Sequence, residues 1–214
     1  MKKLLIVLFV LISQAVVSQN DFMLAEKYYR DGSYEKAVQL FKILYDKNQN
    51  NTTYLKRLIS SYQETSQFQL AENTLKDTLS KSPNHTSMYF ELGYNFDRQH
   101  QKETAKYYYD KAIESISKNN GMGGFIGRLF KDNALLDYAI LAYKKTMQLN
   151  PNANHQFQIA QIYGEKGNFE KMFTSYINLV DINENYLNTV QRFTSRYITD
   201  DKQNNNNILF KKAL

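Results

Sequence analysis

The stretch YFELGYNFDRQHQKETAKYYYDKA, residues 89–112, contains the pattern from which the fold of this chain can be inferred. Its bulky residues Tyr89, Leu92 and Phe96 are spaced by three and four positions, which predicts an amphipathic helix with one buried face. A short polar break follows, and a second helical pattern then begins around Ala105. Two such helices joined by a turn form a hairpin. Because one hairpin cannot bury both of its apolar faces, neighbours of the same kind must stack on it.

The same pattern recurs along the chain with a period of 34 residues. The shared columns are a small residue in the second helix, an aromatic nine positions before it, an aliphatic thirteen before it and a bulky residue four after it. They contain Ala37, Ala71, Ala105 and Ala139; Tyr28, Tyr62, Phe96 and Phe130; Leu58, Leu92 and Ile126; and Phe41, Leu75, Tyr109 and Tyr143. The only prolines, Pro83 and Pro151, lie 68 residues apart, which is twice the period. We therefore predict a one-dimensional stack of hairpins whose second helices end at proline.

Two further units follow with altered columns. A fifth unit begins one residue early, and Met172 replaces the small alanine of its second helix. A sixth, degraded unit is predicted from Tyr186 onward. Its two helical patterns are separated by DDKQNNNN, residues 200–207, which is poor helix material because Asn and Asp side chains compete for the backbone. We therefore expect the last helix, which contains Phe210, to lie outward from the stack or to begin a following module.

These columns resemble the tetratricopeptide repeat (TPR), in which aliphatic, small and aromatic residues recur with a proline at this period. The best match is formed by Tyr89, Leu92, Gly93, Phe96, Ala105, Tyr109 and Ala112. No unit carries the tryptophan that often opens the motif. The resemblance implies an all-α fold, an α-solenoid of stacked TPR-like hairpins in a right-handed superhelix. The predicted boundaries are residues 19–183 for five repeats and residues 184–214 for a degenerate sixth repeat or the start of a following module.

The N-terminus has the layout of a secretory signal peptide. Lysines at positions 2 and 3 precede the apolar residues 4–12, and Val16 and Ser18 form a cleavage site of small residues. The apolar stretch is short for a membrane span of ~20 residues. We predict that residues 1–18 are removed, that the chain is exported to the periplasm or the medium, and that it does not insert stably into a membrane.

Composition excludes several classes of protein. The chain has 214 residues, of which 43% are hydrophobic, so it can build a core. It has no Cys, which excludes a disulfide scaffold, a zinc–thiolate site and a thiol nucleophile. A net charge of +6 is mild for this size and does not indicate a nucleic-acid partner.

The resemblance also implies where a partner binds. The first helices of TPR proteins line a concave groove that usually holds a peptide or a partner helix, so we expect a protein or peptide partner. The predicted groove residues are Glu26, Tyr29, Lys56, Gln63, Phe90, Tyr94, Asp97, Arg128, Phe157 and Gln161. Phe90 and Tyr94 share one helical face and are predicted to be anchors, with packing against the neighbouring hairpin as the alternative. The family's carboxylate clamp is not predicted, because Lys56 and Arg57 lack its asparagine partners.

No pattern in the sequence indicates catalysis, a metal or a cofactor. The three histidines, His85, His100 and His155, lie near turns and have no second ligand at helical spacing. The glycine-rich segment GMGGFIG, residues 121–127, has Ile126 where a dinucleotide-binding loop needs its last glycine, and it lacks Gly-Lys-Ser/Thr. We predict a late-starting or loosened first helix there, with a hinge as a secondary hypothesis.

The leading hypothesis is therefore a non-catalytic, exported scaffold or adaptor that binds a protein or peptide. Two alternatives stay open. The array could be the N-terminal scaffold region of a longer exported enzyme or envelope-assembly protein, or it could bind glycans through its Tyr-rich surface. The sequence leaves the oligomeric state undecided.

Overall fold

The computed structural model describes residues 20–83 and 85–214. They divide into two compact units that meet between Tyr107 and Tyr108. Within these ranges the chain is helical and has no β-strand, which confirms the all-α prediction. None of the helices described there combines the length and the apolar character needed to cross a membrane. The predicted signal peptide, residues 1–18, lies outside the described residues.

The helices follow one another as consecutive hairpins. The first unit contains α1, residues 20–30, α2, Tyr34–Lys47, α3, Thr52–Glu64, α4, Phe68–Lys81, and α5, Thr86–Asp97. Helix α6, Lys102–Ser115, begins in the first unit and ends in the second. The second unit continues with α7, Gly123–Asp132, α8, Leu136–Leu149, α9, Gln156–Glu165, α10, Phe169–Ile182, α11, Leu187–Thr194, and α12, Asn205–Ala213. Short 3-10 turns, Asn120–Met122 and Glu184–Tyr186, precede α7 and α11.

One turn conformation closes the first helix of five hairpins. A residue with positive φ, between 58° and 73°, occupies the same place in each turn: Gly32, Ser66, His100, Ala134 and Gly167. The N–H of the next residue donates a hydrogen bond to the carbonyl of the aromatic residue in the repeat column, as Ser33 does to Tyr28 at 2.8 Å. This hydrogen bond satisfies a carbonyl that the end of the helix would otherwise leave unpaired. The last two turn residues, Ala134 and Gly167, are one residue closer in sequence than the other neighbouring pairs. The fifth unit therefore begins one residue early.

The repeat columns form the core. The small column is buried, with Ala37, Ala71, Ala105 and Ala139 at most 2% exposed. The aliphatic column, Leu58, Leu92 and Ile126, is equally buried. In the fifth hairpin, Met172 stands where the other hairpins have a small residue, and it is buried as well. The residue that faces it from α9 is Gly164. A Cβ on Gly164 would lie 2.9 Å from the Met172 sulfur, so the small residue has moved to the opposite helix.

The glycine-rich segment serves close packing. Helix α7 starts late, at Gly123, as the sequence predicts. Gly123 and Gly127 face α8, because a Cβ on Gly123 would collide with Thr146 Oγ1 and one on Gly127 would lie 2.6 Å from the Tyr143 ring. These contacts show that α7 packs tightly on α8 rather than loosely.

One of the two expectations for the last helix, an outward position, is wrong. Helix α12 does not lie outward but packs back on α10, where the Phe210 and Phe173 rings are 5.1 Å apart. Lys212 also pairs with Glu170 at 2.6 Å. The physical reason is an apolar stripe on α12 that joins the core cluster of the fifth hairpin: Leu209, Phe210 and Ala213.

Candidate partner-binding surface

The first helices of the first unit are joined side by side by their side chains. Between α1 and α3, the Phe22 and Tyr54 rings lie 5.5 Å apart. Arg57 donates two hydrogen bonds to the Glu26 carboxylate, with 2.9 Å between Nη2 and Oε2. These contacts place α1 next to α3, as stacked hairpins require.

A second polar contact runs beside that ion pair. The Tyr29 hydroxyl and Ser60 Oγ share a hydrogen bond of 2.6 Å. The Arg57 guanidinium lies 4.7 Å from the centre of the Tyr29 ring, within cation–π range. The side chain of Tyr29 is therefore held from two sides.

Similar contacts join α3 to α5. Arg98 donates to Glu64 Oε1 at 2.8 Å and to the Gln63 carbonyl at 3.3 Å. Lys56 on α3 interacts electrostatically with Glu91 on α5. The first helices of this unit thus form one continuous surface from α1 to α5.

We define the first-helix surface by six half-buried residues that point away from the core columns. These residues are Tyr29, Lys56, Ser60, Glu91, Tyr94 and Asp97. Each is supported by neighbours and still offers part of its side chain to solvent. Asp97 forms an ion pair with Lys102 at 2.6 Å. The surface therefore combines two tyrosines with charges of both signs.

Glu91 is the unusual titratable group of this surface. Burial raises its pKa from 4.5 to about 7, and the positive charge of Lys56 opposes that rise. Near neutral pH the carboxyl group exists in both protonation states. It can then donate a hydrogen bond as an acid or accept one as a carboxylate.

The structure separates the predicted groove residues into two sets. Glu26, Tyr29, Lys56, Tyr94 and Asp97 lie on the first helices of the first unit. Gln63 and Phe90 lie on the same helices, but each is only 2% exposed. The Phe90 ring stacks on Tyr94 with 6.2 Å between centroids. Because Gln63 and Phe90 are buried within the chain, we leave both residues out of the surface.

The remaining predicted groove residues belong to the second unit. Arg128 is exposed, with its guanidinium 5.8 Å from the Phe125 ring. Phe157 packs against Phe193 at 5.0 Å and against Tyr176 at 5.9 Å. Gln161 is half-buried. Within the described part of the second unit, these three residues are not joined into a surface like that of the first unit.

Sequence reasoning missed Arg57, Glu91 and Arg98 as members of this region. Their signal is a cross-repeat spacing. The Glu26–Arg57 and Tyr29–Ser60 pairs are 31 residues apart, which is one period less one helical turn, and Glu64 and Arg98 are 34 apart. Complementary polar residues at these two spacings would have indicated the contacts between neighbouring first helices.

The histidines His100 and His155 occupy structural positions. His100 is a positive-φ turn residue. The ring of His155 is tilted against that of Tyr143, with 4.9 Å between the ring centres, and burial lowers the pKa of His155. Residues 20–83 and 85–214 contain no group of three His, Cys, Asp or Glu that could hold a metal ion.

No protein-family model matches the chain, and none of the curated proteins matches it significantly. Among solved structures, the chain is similar to TTC0263, a thermophilic TPR protein of Thermus thermophilus, at 18% identity over 83% of this chain and 97% of that one, with a TM-score of 0.46. It is similar to BtubC from P. vanneervenii at 14% identity over 86% and 84%, with a TM-score of 0.46. It is also similar to the C-terminal part of a TPR repeat-containing protein from Cytophaga hutchinsonii at 20% identity over 90% and 77%, with a TM-score of 0.42.

Proposed function

We propose that the chain is a non-catalytic scaffold that binds a segment of a partner protein on the first-helix surface of its first unit. The observation that carries this proposal is the surface itself. Tyr29 and Lys56 are positioned by contacts between neighbouring helices, Tyr94 is positioned by Phe90 of its own helix, and all three remain partly open. Prepositioned side chains lose little conformational entropy when a partner binds. A stack of helical hairpins also supports protein interaction in general, because it exposes long helix faces.

The chemistry of the surface favours a polar segment that carries an aromatic or apolar residue. Tyr29 and Tyr94 can pack against such a residue while their hydroxyls hydrogen bond. Lys56 and Asp97 offer opposite charges on neighbouring helices, and so they can fix the direction of the bound segment. The carboxyl group of Glu91 can meet either a donor or an acceptor of the partner backbone.

Affinity capture from the native cell envelope tests the proposal. Residues 19–214 serve as bait beside a Lys56→Ala/Tyr94→Ala variant. The matched control is Lys81→Ala/Tyr107→Ala, which removes the same residue types from exposed positions of α4 and α6. We expect a protein captured by the parent and by the control and lost by the first variant, with circular dichroism showing that all three are folded. Equal capture by the two variants would place the binding site elsewhere, and recovery of polysaccharide alone would favour a glycan-binding role.

Export is part of the same proposal. The N-terminal layout of the sequence supports removal of residues 1–18 and action in the periplasm or outside the cell. Intact mass measurement of the native protein tests this directly. A chain that begins at Gln19 and is recovered from the periplasm or medium supports export, whereas a full-length chain recovered from the cytoplasm contradicts it.

A further inference from the structure

The second unit contains an apolar groove between α10, α11 and α12, remote in sequence from the first-helix surface. Its volume is about 620 Å³. Its apolar lining includes Val180, Leu187, Val190, Phe210 and Leu214. Val190 is buried at 3%, whereas Leu187 is 46% and Leu214 is 77% exposed. The groove thus has a closed floor and open apolar walls, which is the form of a site that accepts an apolar side-chain stripe.

The charges that line this groove are of one sign. Asp181 and Asp200 are its charged lining residues, and both are exposed. Neither carboxylate has an ion-pair partner among residues 20–83 and 85–214. The chain as a whole is basic, with a net charge of +6, so an acidic rim is a local departure from the average surface. A ligand that complements this rim carries positive charge.

Helix α10 already binds a segment of matching chemistry within the same chain. Its first half receives α12, with Phe210 against Phe173 and Lys212 paired with Glu170. The same stripe of α10 continues at helical spacing through Ile177 to Val180 and Asp181, which line the groove. Both halves of α10 therefore present apolar residues beside a carboxylate, and in the second half Val180 and Asp181 line the groove.

We infer that this groove is a second docking site, and that its occupant is an amphipathic helix of a partner protein with an apolar stripe and basic residues beside it. Such a helix lays its apolar face on Val180, Leu187 and Val190 and directs lysine or arginine to Asp181 and Asp200. The site is separate from the first-helix surface, so the two can be tested independently.

The test uses the whole chain, residues 19–214, and two fluorescent synthetic helices. Both probes carry leucines on one face; one has lysines at its flanks and the other has glutamates in the same places. The protein variants are Asp181→Asn/Asp200→Asn and, as a matched control, Asp132→Asn/Glu165→Gln, which removes two exposed carboxylates of the second unit outside the groove. Fluorescence anisotropy at low ionic strength gives each dissociation constant, and thermal melts show that each variant is folded.

The inference predicts that the lysine probe binds about tenfold tighter than the glutamate probe. Asp181→Asn/Asp200→Asn removes most of that difference, and the control variant keeps it. Leu187→Ser weakens both probes, because it removes an exposed wall of the groove. The Lys56→Ala/Tyr94→Ala variant of the first unit binds the probes as the parent does, so failure here and failure of the proposed function are distinguishable.

Four results would overturn the inference. The lysine probe shows no binding, the two probes bind equally, or the control variant loses as much affinity as the groove variant. The fourth result is concentration-dependent self-association in sedimentation equilibrium that Leu187→Ser abolishes, because a second copy of the chain would then cover the groove.

Discussion

The first helices of the two units differ in the side-chain contacts that they make. In the first unit, α1, α3 and α5 are joined by polar side chains, such as Arg57 with Glu26 and Tyr29 with Ser60, that remain half-buried. In the second unit, Lys131 of α7 pairs with Glu165 of α9 at 3.6 Å, but the other contacts of the corresponding helices are mostly apolar. Gly127 lets α7 lie against Tyr143, and Phe157 packs on Phe193.

This difference shows that one repeat pattern can build two kinds of surface. The core columns recur in both units, apart from Met172 in the fifth hairpin, so they determine the hairpins and not the character of the exposed surface. The residues between the columns determine the character of that surface. Polar residues at cross-repeat spacing leave an accessible surface in the first unit, whereas Phe157, which stands in the second unit at the place of Lys56, packs on Phe193.

The largest expected effect comes from filling the glycine contact of the second unit. Gly127→Leu forces a side chain into the buried Tyr143 ring and should lower the free energy of unfolding by about 3 kcal/mol. Urea denaturation measures this value. Gly121→Ala is the matched control, because its Cβ meets no atom closer than 3.7 Å. A Gly127→Leu variant as stable as the control would show that α7 does not pack closely on α8.

The second effect concerns pH and the first unit. The pKa of Glu91 is about 7 in the folded chain, against 4.5 for an ordinary glutamate. Between these pH values the folded state therefore keeps a proton that the unfolded state releases. The contribution of this group to stability is therefore highest below about pH 4.5 and falls as pH rises to about 7. Glu91→Gln removes this fall and should be about 1–2 kcal/mol more stable than the parent above pH 7, allowing for partial exposure of the site.

Denaturation at a series of pH values checks this prediction. Glu103→Gln, an exposed position of α6 in the same unit, should keep the pH dependence of the parent. If Glu91→Gln and Glu103→Gln give the same profile, burial does not raise the pKa of the Glu91 carboxyl group.

A smaller effect is expected at the polar contacts between first helices. Arg57→Met removes the bidentate ion pair with Glu26 and the contact with Tyr29, and should cost about 1 kcal/mol. Lys42→Met removes an ion pair with Asp46 whose two side chains are more than half exposed, and should cost less than about 0.5 kcal/mol. Equal losses in urea denaturation would mean that the first-helix contacts are no more ordered than an exposed pair.

The smallest expected change in stability comes from substitutions at the positive-φ residues of the turns. Ala134 has φ of 59°, which strains a residue with a Cβ, so Ala134→Gly should stabilise the chain by about 0.5 kcal/mol. Gly32 has φ of 73° in the equivalent turn, and Gly32→Ala should destabilise by about 1 kcal/mol. Thermal melts of the two variants should move in opposite directions. A shift in the same direction would contradict the shared turn conformation.

Much of the fold could be predicted because each repeat column has one structural role. The alanines and aliphatic residues at a 34-residue period are buried in the hairpins as the sequence predicts. The place of α12 could not be predicted, because its packing depends on a long-range meeting of Phe210 with Phe173. The local signal at residues 200–207 indicated only a break in the helical pattern.

The candidate site was predicted in part for a similar reason. Helical spacing places Phe90 and Tyr94 on one face of α5, but it does not say which of them the neighbouring helices cover. Phe90 is buried, whereas Tyr94, which lies one helical turn further along α5, is half-buried. The polar contacts of Arg57 depend on how neighbouring first helices align, and that alignment becomes visible only when pairs 31 residues apart are compared.

Photo-crosslinking in the native cell is the strongest test of partner binding on the first-helix surface. A photoreactive phenylalanine derivative replaces Tyr94 in one strain and Tyr107, an exposed tyrosine of the same unit, in another. We expect a covalent adduct with one partner protein from position 94 and none from position 107. Adducts from position 107 alone, or the same adducts from both positions, would contradict binding at this surface.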